Sequence, residues 1–133
     1  MDDVVTRTAG SARLEELDQA LRRAAQNHQF GVLNVTDLQG KLEEKGIAFP
    51  HACRVYDVCN PGAAAQVLGR QLEVAAVLPC RISLFEREGK LHLSTLRPTA
   101  LIAHFGVPEL QAEAARIEQE LIAMLEEASA GEG

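Results

Sequence analysis

The sequence predicts a two-layer α+β domain, in which a mainly antiparallel sheet carries two long helices on one face. Segments with apolar residues at helical spacing lie near both ends of the chain, and the region between them contains the alternating or apolar runs typical of strands. Each amphipathic helix has one apolar stripe to bury, so two such helices suit one sheet face. With short extra helices treated as insertions, the predicted element order is β-α-β4-α.

The first elements follow from β-formers, caps and apolar spacing. β-branched residues predict a strand over Asp3–Ala9, and Ser11 offers an N-cap for a long helix that reaches about His28. A second strand is predicted over Phe30–Val35. The capping-box pattern Thr36-Asp37-Leu38-Gln39 then predicts a short helix.

The middle of the chain contains a clear transition from strand to helix. Arg54–Val58 is predicted as a strand that runs into Cys59. Asn60 is a favoured N-cap and Pro61 suits the first helical position, so we predict a helix that ends near Gly69.

The second half predicts a β-hairpin and another long helix. Arg81–Arg87 and Lys90–Leu96 alternate in polarity across a turn at Glu88-Gly89. After Gly106, apolar residues recur at helical spacing, namely Leu110, Ala114, Ile117, Leu121, Met124 and Leu125.

Size and composition limit the function classes. At 133 residues the chain suits one domain, predicted over residues 1–127 with a frayed tail over 128–133. The net charge of −6 argues against nucleic-acid binding, which requires a concentrated basic surface. The chain opens with Met1-Asp2-Asp3 rather than a secretory signal, and its longest apolar stretch, Val74–Leu78, is too short to span a bilayer. We therefore expect a cytoplasmic protein that binds neither nucleic acid nor membrane.

The apolar residues of the predicted strands do not divide cleanly between a buried and a polar face. A second subunit covering the sheet would account for this pattern, so we expect a homodimer. The residues concerned are Val55, Ile82, Leu84, Phe85, Leu91, Leu93 and Leu96.

An ordered set of motifs resembles the bacterial and archaeal domain-of-unknown-function family 302. The set consists of Arg54-Val55-Tyr56-Asp57-Val58-Cys59-Asn60-Pro61, then Ala64 and Leu68, then Val77-Leu78-Pro79-Cys80-Arg81-Ile82-Ser83-Leu84-Phe85-Glu86. The resemblance implies a β-α-β4-α fold similar to one repeat of the TATA-binding protein, and a dimer. It brings no settled activity and no known cofactor.

The chain departs from the family pattern in two loops. Gly62 stands where relatives often carry a second proline or a long polar residue, and Leu72–Ala76 lacks a frequent Asp-Pro. These departures affect the predicted loop shapes rather than the fold.

Cys59 and Cys80 are the candidate catalytic residues. Cys59 precedes a helix N-terminus, where the helix dipole favours a thiolate; the alternative is that it packs as a small buried hydrophobe. Cys59 lies two residues before Pro61 and Cys80 directly follows Pro79. These prolines bias Asn60 and Leu78 toward extended backbone. With no export signal, the three cysteines are expected to be reduced thiols.

A helix start can also bind a phosphate or carboxylate, so Asn60, Pro61, Gly62 and Arg81 are candidate ligand-binding residues. Capping its own helix is the commoner role of such an Asn. His51, Cys53 and Cys59 form the densest group of soft ligands, but their irregular spacing argues against zinc, and we predict no metal site.

Three function classes remain open from the sequence. The protein is a thiol carrier or redox-responsive module that uses Cys59, a module that binds a small anionic ligand near Asn60, or a purely structural dimer. Thiol titration, a metabolite thermal-shift screen and Cys59 and Cys80 variants would distinguish them.

Overall fold

The computed structural model describes residues 2–10 and 12–130, and there the predicted α+β class and element order are confirmed. The strands are β1 (Val4–Thr8), β2 (Gly31–Asp37), β3 (Cys53–Cys59), β4 (Cys80–Arg87) and β5 (Lys90–Leu96). The helices are α1 (Leu14–Asn27), α2 (Leu38–Glu44), α3 (Pro61–Arg70), α4 (Pro98–Ile102) and α5 (Glu109–Ala130). Two 3₁₀ helices, Leu72–Val77 and Ala103–Phe105, complete the described part of the chain.

The five strands form one antiparallel sheet in the order β1-β5-β4-β3-β2. The β4–β5 hairpin turns at Glu88 and Gly89, whose φ angles are 56° and 78°. Positive φ at both central residues gives a turn whose twist matches that of the flanking strands. This local chemistry explains why the hairpin was predicted with accurate ends.

The main core lies between α1, α5 and one face of the sheet. Strand alternation places Ile82 and Leu84 of β4 on this covered face, together with Leu91 and Leu93 of β5. The apolar strand residues occupy both faces of the sheet, so they do not divide into one buried and one polar face, as the sequence indicated. The pairing register separates them, because Val55, Phe85 and Leu96 occupy alternate positions on the opposite face.

That opposite face is called here the open face; it carries Val55, Ser83, Phe85, Ser94 and Leu96. Its apolar members are partly or well exposed, in contrast to the fully covered residues on the helix side. In the described part of the chain, no helix combines the length and apolar composition needed to cross a membrane.

A second apolar cluster lies beside the main core. It joins α3, the 3₁₀ helix Leu72–Val77, α4 and the first turns of α5, through Val67, Val74, Ile102, Leu110 and Ala114. The sequence predicted α3 and α5, whereas no helix was predicted over the 3₁₀ segment or α4. Such short helices have weak intrinsic stability, so packing rather than propensity holds them.

The ends of two helices differ from the sequence-based expectation. α2 is capped by Asp37, whose carboxylate accepts the Gly40 N–H at 3.0 Å, so Thr36 as cap was wrong. The N-cap position of α1 is Arg13, and Ser11, the expected cap, lies outside the described residues.

The C-terminal helix is longer than expected. α5 continues through Ala130, and Ala128 packs in the main core at 4% exposure. The first three residues of the expected frayed tail are therefore helical, and residues 131–133 lie outside the described part of the chain.

Candidate functional site

The fold brings the two cysteine motifs together at one end of the sheet. β3 and β4 are antiparallel neighbours, and Val58 lies opposite Cys80. The end of β3 therefore lies beside the start of β4, and Cys59 and Cys80 border one cleft of about 20 Å³. Asn60 and Leu78 adopt the extended backbone that their following prolines favour, and the Leu78–Pro79 peptide bond is cis.

The cleft limits the space beside Cys59, whereas Cys80 also borders a larger pocket described below. The volume of the cleft suits about one water molecule rather than a substrate. Burial, with a smaller electrostatic contribution from the neighbouring Cys59, raises the pKa of Cys80 to about 11. Cys80 is therefore protonated at neutral pH, and any nucleophilic role falls to Cys59.

The pairing register also bears on a disulfide between the two cysteines. Cys80 pairs with Val58, one residue before Cys59. Successive strand residues point to opposite faces, so Cys59 and Cys80 leave the sheet in different directions. A disulfide between them requires the strand ends to rearrange.

The start of α3 is capped by its own chain. The side-chain oxygen of Asn60 accepts the Ala63 N–H at 3.0 Å, and the Asn60 carbonyl accepts the Ala64 N–H at 2.9 Å. Pro61 has no N–H, so this turn offers an anion the N–H of Gly62. The expected role of Asn60, Pro61 and Gly62 in ligand binding therefore stays a prediction, and few backbone N–H donors are available to support it.

The third cysteine lies away from this end. Cys53 is six residues before Cys59 on β3, a separation of about 20 Å along a strand. Burial and the Asp37 carboxylate raise the pKa of the Cys53 thiol. Within residues 2–10 and 12–130, no group of three or more His, Cys, Asp or Glu side chains is placed to hold a metal ion.

The largest feature at this end is one that sequence reasoning missed. An open pocket of about 480 Å³ lies between the open face and the second apolar cluster. It is called here the apolar pocket. Its aliphatic walls include Val55 and Leu96 from the sheet, Val74 and Val77 from the 3₁₀ helix, and Leu101 and Ile102 from α4 and its end.

The signal that could have revealed the pocket is the apolar content of segments interpreted as loops. Val74, Val77, Leu101 and Ile102 are more apolar side chains than exposed connections need. Their positions nevertheless depend on how α4 packs along α5, which no local pattern reports.

Polar groups at the apolar pocket are few and placed on the sheet side. The hydroxyls of Ser83 and Ser94 are 2.5 Å apart and hydrogen-bond to each other across β4 and β5. Thr95 donates to the Arg81 carbonyl at 2.7 Å. The Arg81 side chain, 70% exposed, borders the pocket, and its Nε donates to Asp57 at 3.2 Å.

Known proteins resemble this chain over most of its length. The family model described as Domain of unknown function DUF302 matches residues 5–128. The crystal structure of an uncharacterized conserved protein DUF302 from Bacillus stearothermophilus is 31% identical and superposes with a TM-score of 0.92, covering 96% of this chain and 99% of that chain. No curated protein matches the chain. The family match spans the sheet from Val5 onward and the long helices as far as Ala128, and the chain therefore belongs to the DUF302 family.

Proposed function

We propose that this protein is a cytoplasmic module that binds a small molecule in the apolar pocket. The observation that carries the proposal is the pocket itself, about 480 Å³ with mostly aliphatic walls and a few polar groups. Ligand sites typically enclose about 300–1,000 Å³ with this composition. At about 30 Å³ for each non-hydrogen atom, the share of a water molecule in the liquid, the pocket accommodates about 16 such atoms.

The residues that border the apolar pocket support its interpretation as a ligand site. The pocket is open to solvent, and an exposed apolar surface of this kind often marks a ligand-binding groove. Small residues border the apolar pocket at Ala76 and Ala114, where larger aliphatic side chains would reduce the unfilled space. The fold does not require this pocket to be empty, because larger side chains at these two positions would fill part of it.

The test is a thermal-shift screen with a variant that narrows the pocket. A ligand that binds only the folded protein raises the free energy of unfolding, by about 2.7 kcal/mol at a concentration one hundred times its Kd, and so raises the melting temperature. Ala76 is exposed and borders the pocket, whereas Ala75 is exposed and does not. Ala76→Phe is expected to abolish the shift that a ligand produces in the wild type, and Ala75→Phe to retain it. Apolar and amphipathic compounds that shift neither protein would refute the proposal.

A thiol-based role for Cys59 is the second candidate, supported by the shared cleft of Cys59 and Cys80. The reaction would consume two thiols and one hydrogen peroxide, and form one disulfide and two waters. Peptide mapping after peroxide treatment tests it: a linked Cys59–Cys80 peptide supports the role. Modification of Cys53 alone would contradict it.

We also propose that the chain forms a homodimer through its open face. Val55, Phe85 and Leu96 give that face an apolar surface that the helices do not cover. Sedimentation equilibrium at micromolar concentration tests this proposal, and a monomer would refute it. The cytoplasmic location is supported by the three free thiols, which are typical of a reducing compartment.

A further inference from the structure

We infer that the ligand of the apolar pocket is a small amphiphile whose anionic head, a carboxylate, is bound by Arg81. This inference rests on the proposed function and adds the chemical class of the ligand. Among the described residues that border the pocket, Arg81 is the one with a charged side chain. A mostly aliphatic pocket with a single cation at its edge complements a molecule with an apolar body and one negative group.

The hydrogen bonding of Arg81 leaves it able to bind a carboxylate. Asp57, opposite Arg81 in the β3–β4 register, accepts from Nε at 3.2 Å and so orients the guanidinium. Within the described part of the chain, Arg81 donates through Nε alone, so both terminal amino groups are open to a ligand. A guanidinium presents parallel donors that match the two oxygens of a carboxylate.

Nearby charges favour local rather than long-range recognition. Asp57 offsets part of the Arg81 charge, and the chain as a whole carries −6, so the protein does not attract anions from a distance. Beyond the pocket, Arg97 and Glu118 are paired with each other at 2.9 Å. Arg81 is thus the cation with donors available at the pocket edge.

The size of the pocket limits the apolar body. About 16 non-hydrogen atoms fit, so a medium-chain or aromatic acid suits this space better than a long membrane lipid. Decanoate, kept below its micellar concentration, is a suitable probe. Decanol supplies the same chain without the charge.

The experiment measures decanoate and decanol binding by calorimetry to the wild type, Arg81→Gln and the matched control Arg87→Gln. Arg87 lies on the same strand, is exposed and does not border the pocket. Arg81→Gln is expected to weaken decanoate binding by about fivefold to tenfold, between the effect of an exposed ion pair and that of a buried hydrogen bond to a charged group, and to leave decanol unchanged. Arg87→Gln is expected to change neither. Added salt should weaken decanoate binding to the wild type more than to Arg81→Gln.

The outcomes separate this inference from the proposed function. If the wild type binds both probes and Arg81→Gln binds decanoate equally well, the carboxylate inference is wrong while the pocket remains a ligand site. If the wild type binds decanol and not decanoate, the anionic class is likewise refuted. If neither probe binds and the wider screen shows no shift, both proposals fail.

Discussion

The substitution Tyr56→Phe is expected to destabilise the protein, because it removes the hydrogen bond between the Tyr56 hydroxyl and the Asp18 carboxylate. The two oxygens are 2.6 Å apart, Tyr56 is fully buried, and Asp18 is 4% exposed. The bond ties α1 to β3, the strand that ends at Cys59. Water cannot replace the lost donor, so we expect a loss of about 1.5–3 kcal/mol, the range for a hydrogen bond to a charged group.

The loss should depend on pH with a defined sign. Burial raises the pKa of Asp18, but hydrogen bonds from Tyr56 and Arg22 and the charges of Arg22 and Arg54 outweigh burial, so the net pKa is lowered. A carboxyl with a lowered pKa stabilises the fold above its unfolded value, about 3.9, and this stability disappears as pH falls through the folded pKa. The variant lacks one cause of the lowering, so its deficit is full at pH 7 and shrinks below about pH 4.

Chemical denaturation at pH 7 and pH 3, followed by far-UV circular dichroism, measures the effect. Tyrosine fluorescence is unsuitable for the variant, because Tyr56 is the single tyrosine and the chain contains no tryptophan. At about 3–5 °C for each kcal/mol in a domain of this size, the melting temperature should fall by about 5–15 °C at pH 7.

A matched control removes an exposed hydroxyl instead. Thr8 bonds to Nδ1 of His92 at 3.0 Å at the surface, so Thr8→Val should change the stability by less than about 0.5 kcal/mol. A Tyr56→Phe variant as stable as the wild type at pH 7 would refute this prediction. A deficit that grows on acidification would also contradict it.

Three further predictions concern the end of α1, the start of α3 and the Cys80 thiol. A hydrogen bond to Glu120, opposed by burial and aided by Glu127, raises the pKa of His28. The stabilisation that His28 contributes is therefore complete below about pH 6.5 and is lost as pH rises through the folded pKa. The difference in melting temperature between the wild type and His28→Gln should close from pH 6 to pH 9. A constant difference would contradict this. Asn60→Ala should cost about 1 kcal/mol in urea unfolding through loss of the cap on Ala63, and Asn60→Asp should retain the stability; an unchanged Asn60→Ala would show that the cap contributes nothing. Iodoacetamide labelling of Cys80, followed by mass spectrometry, should accelerate about tenfold for each pH unit up to about 11, and a plateau near pH 9 would disprove the raised pKa.

The sequence by itself determined the features that arise within a few residues. Asn60 and Pro61 begin α3 because capping and a fixed φ act within one turn, and Glu88-Gly89 closes the hairpin because the turn needs positive φ. The long helices followed from apolar spacing over several turns. Even the fold class depended only on the order of such elements.

Tertiary structure alone decided where these elements meet. The β3–β4 register places Cys59 and Cys80 at one cleft yet on different sides of the strands, and burial there raises the pKa of Cys80. The apolar pocket arises because α4 and the 3₁₀ helix pack beside α5 and the open face. Contacts between residues far apart in the chain select the short helices and the neighbours of each strand. Because hydrophobic burial is non-directional, a local pattern does not specify which element will cover an apolar face.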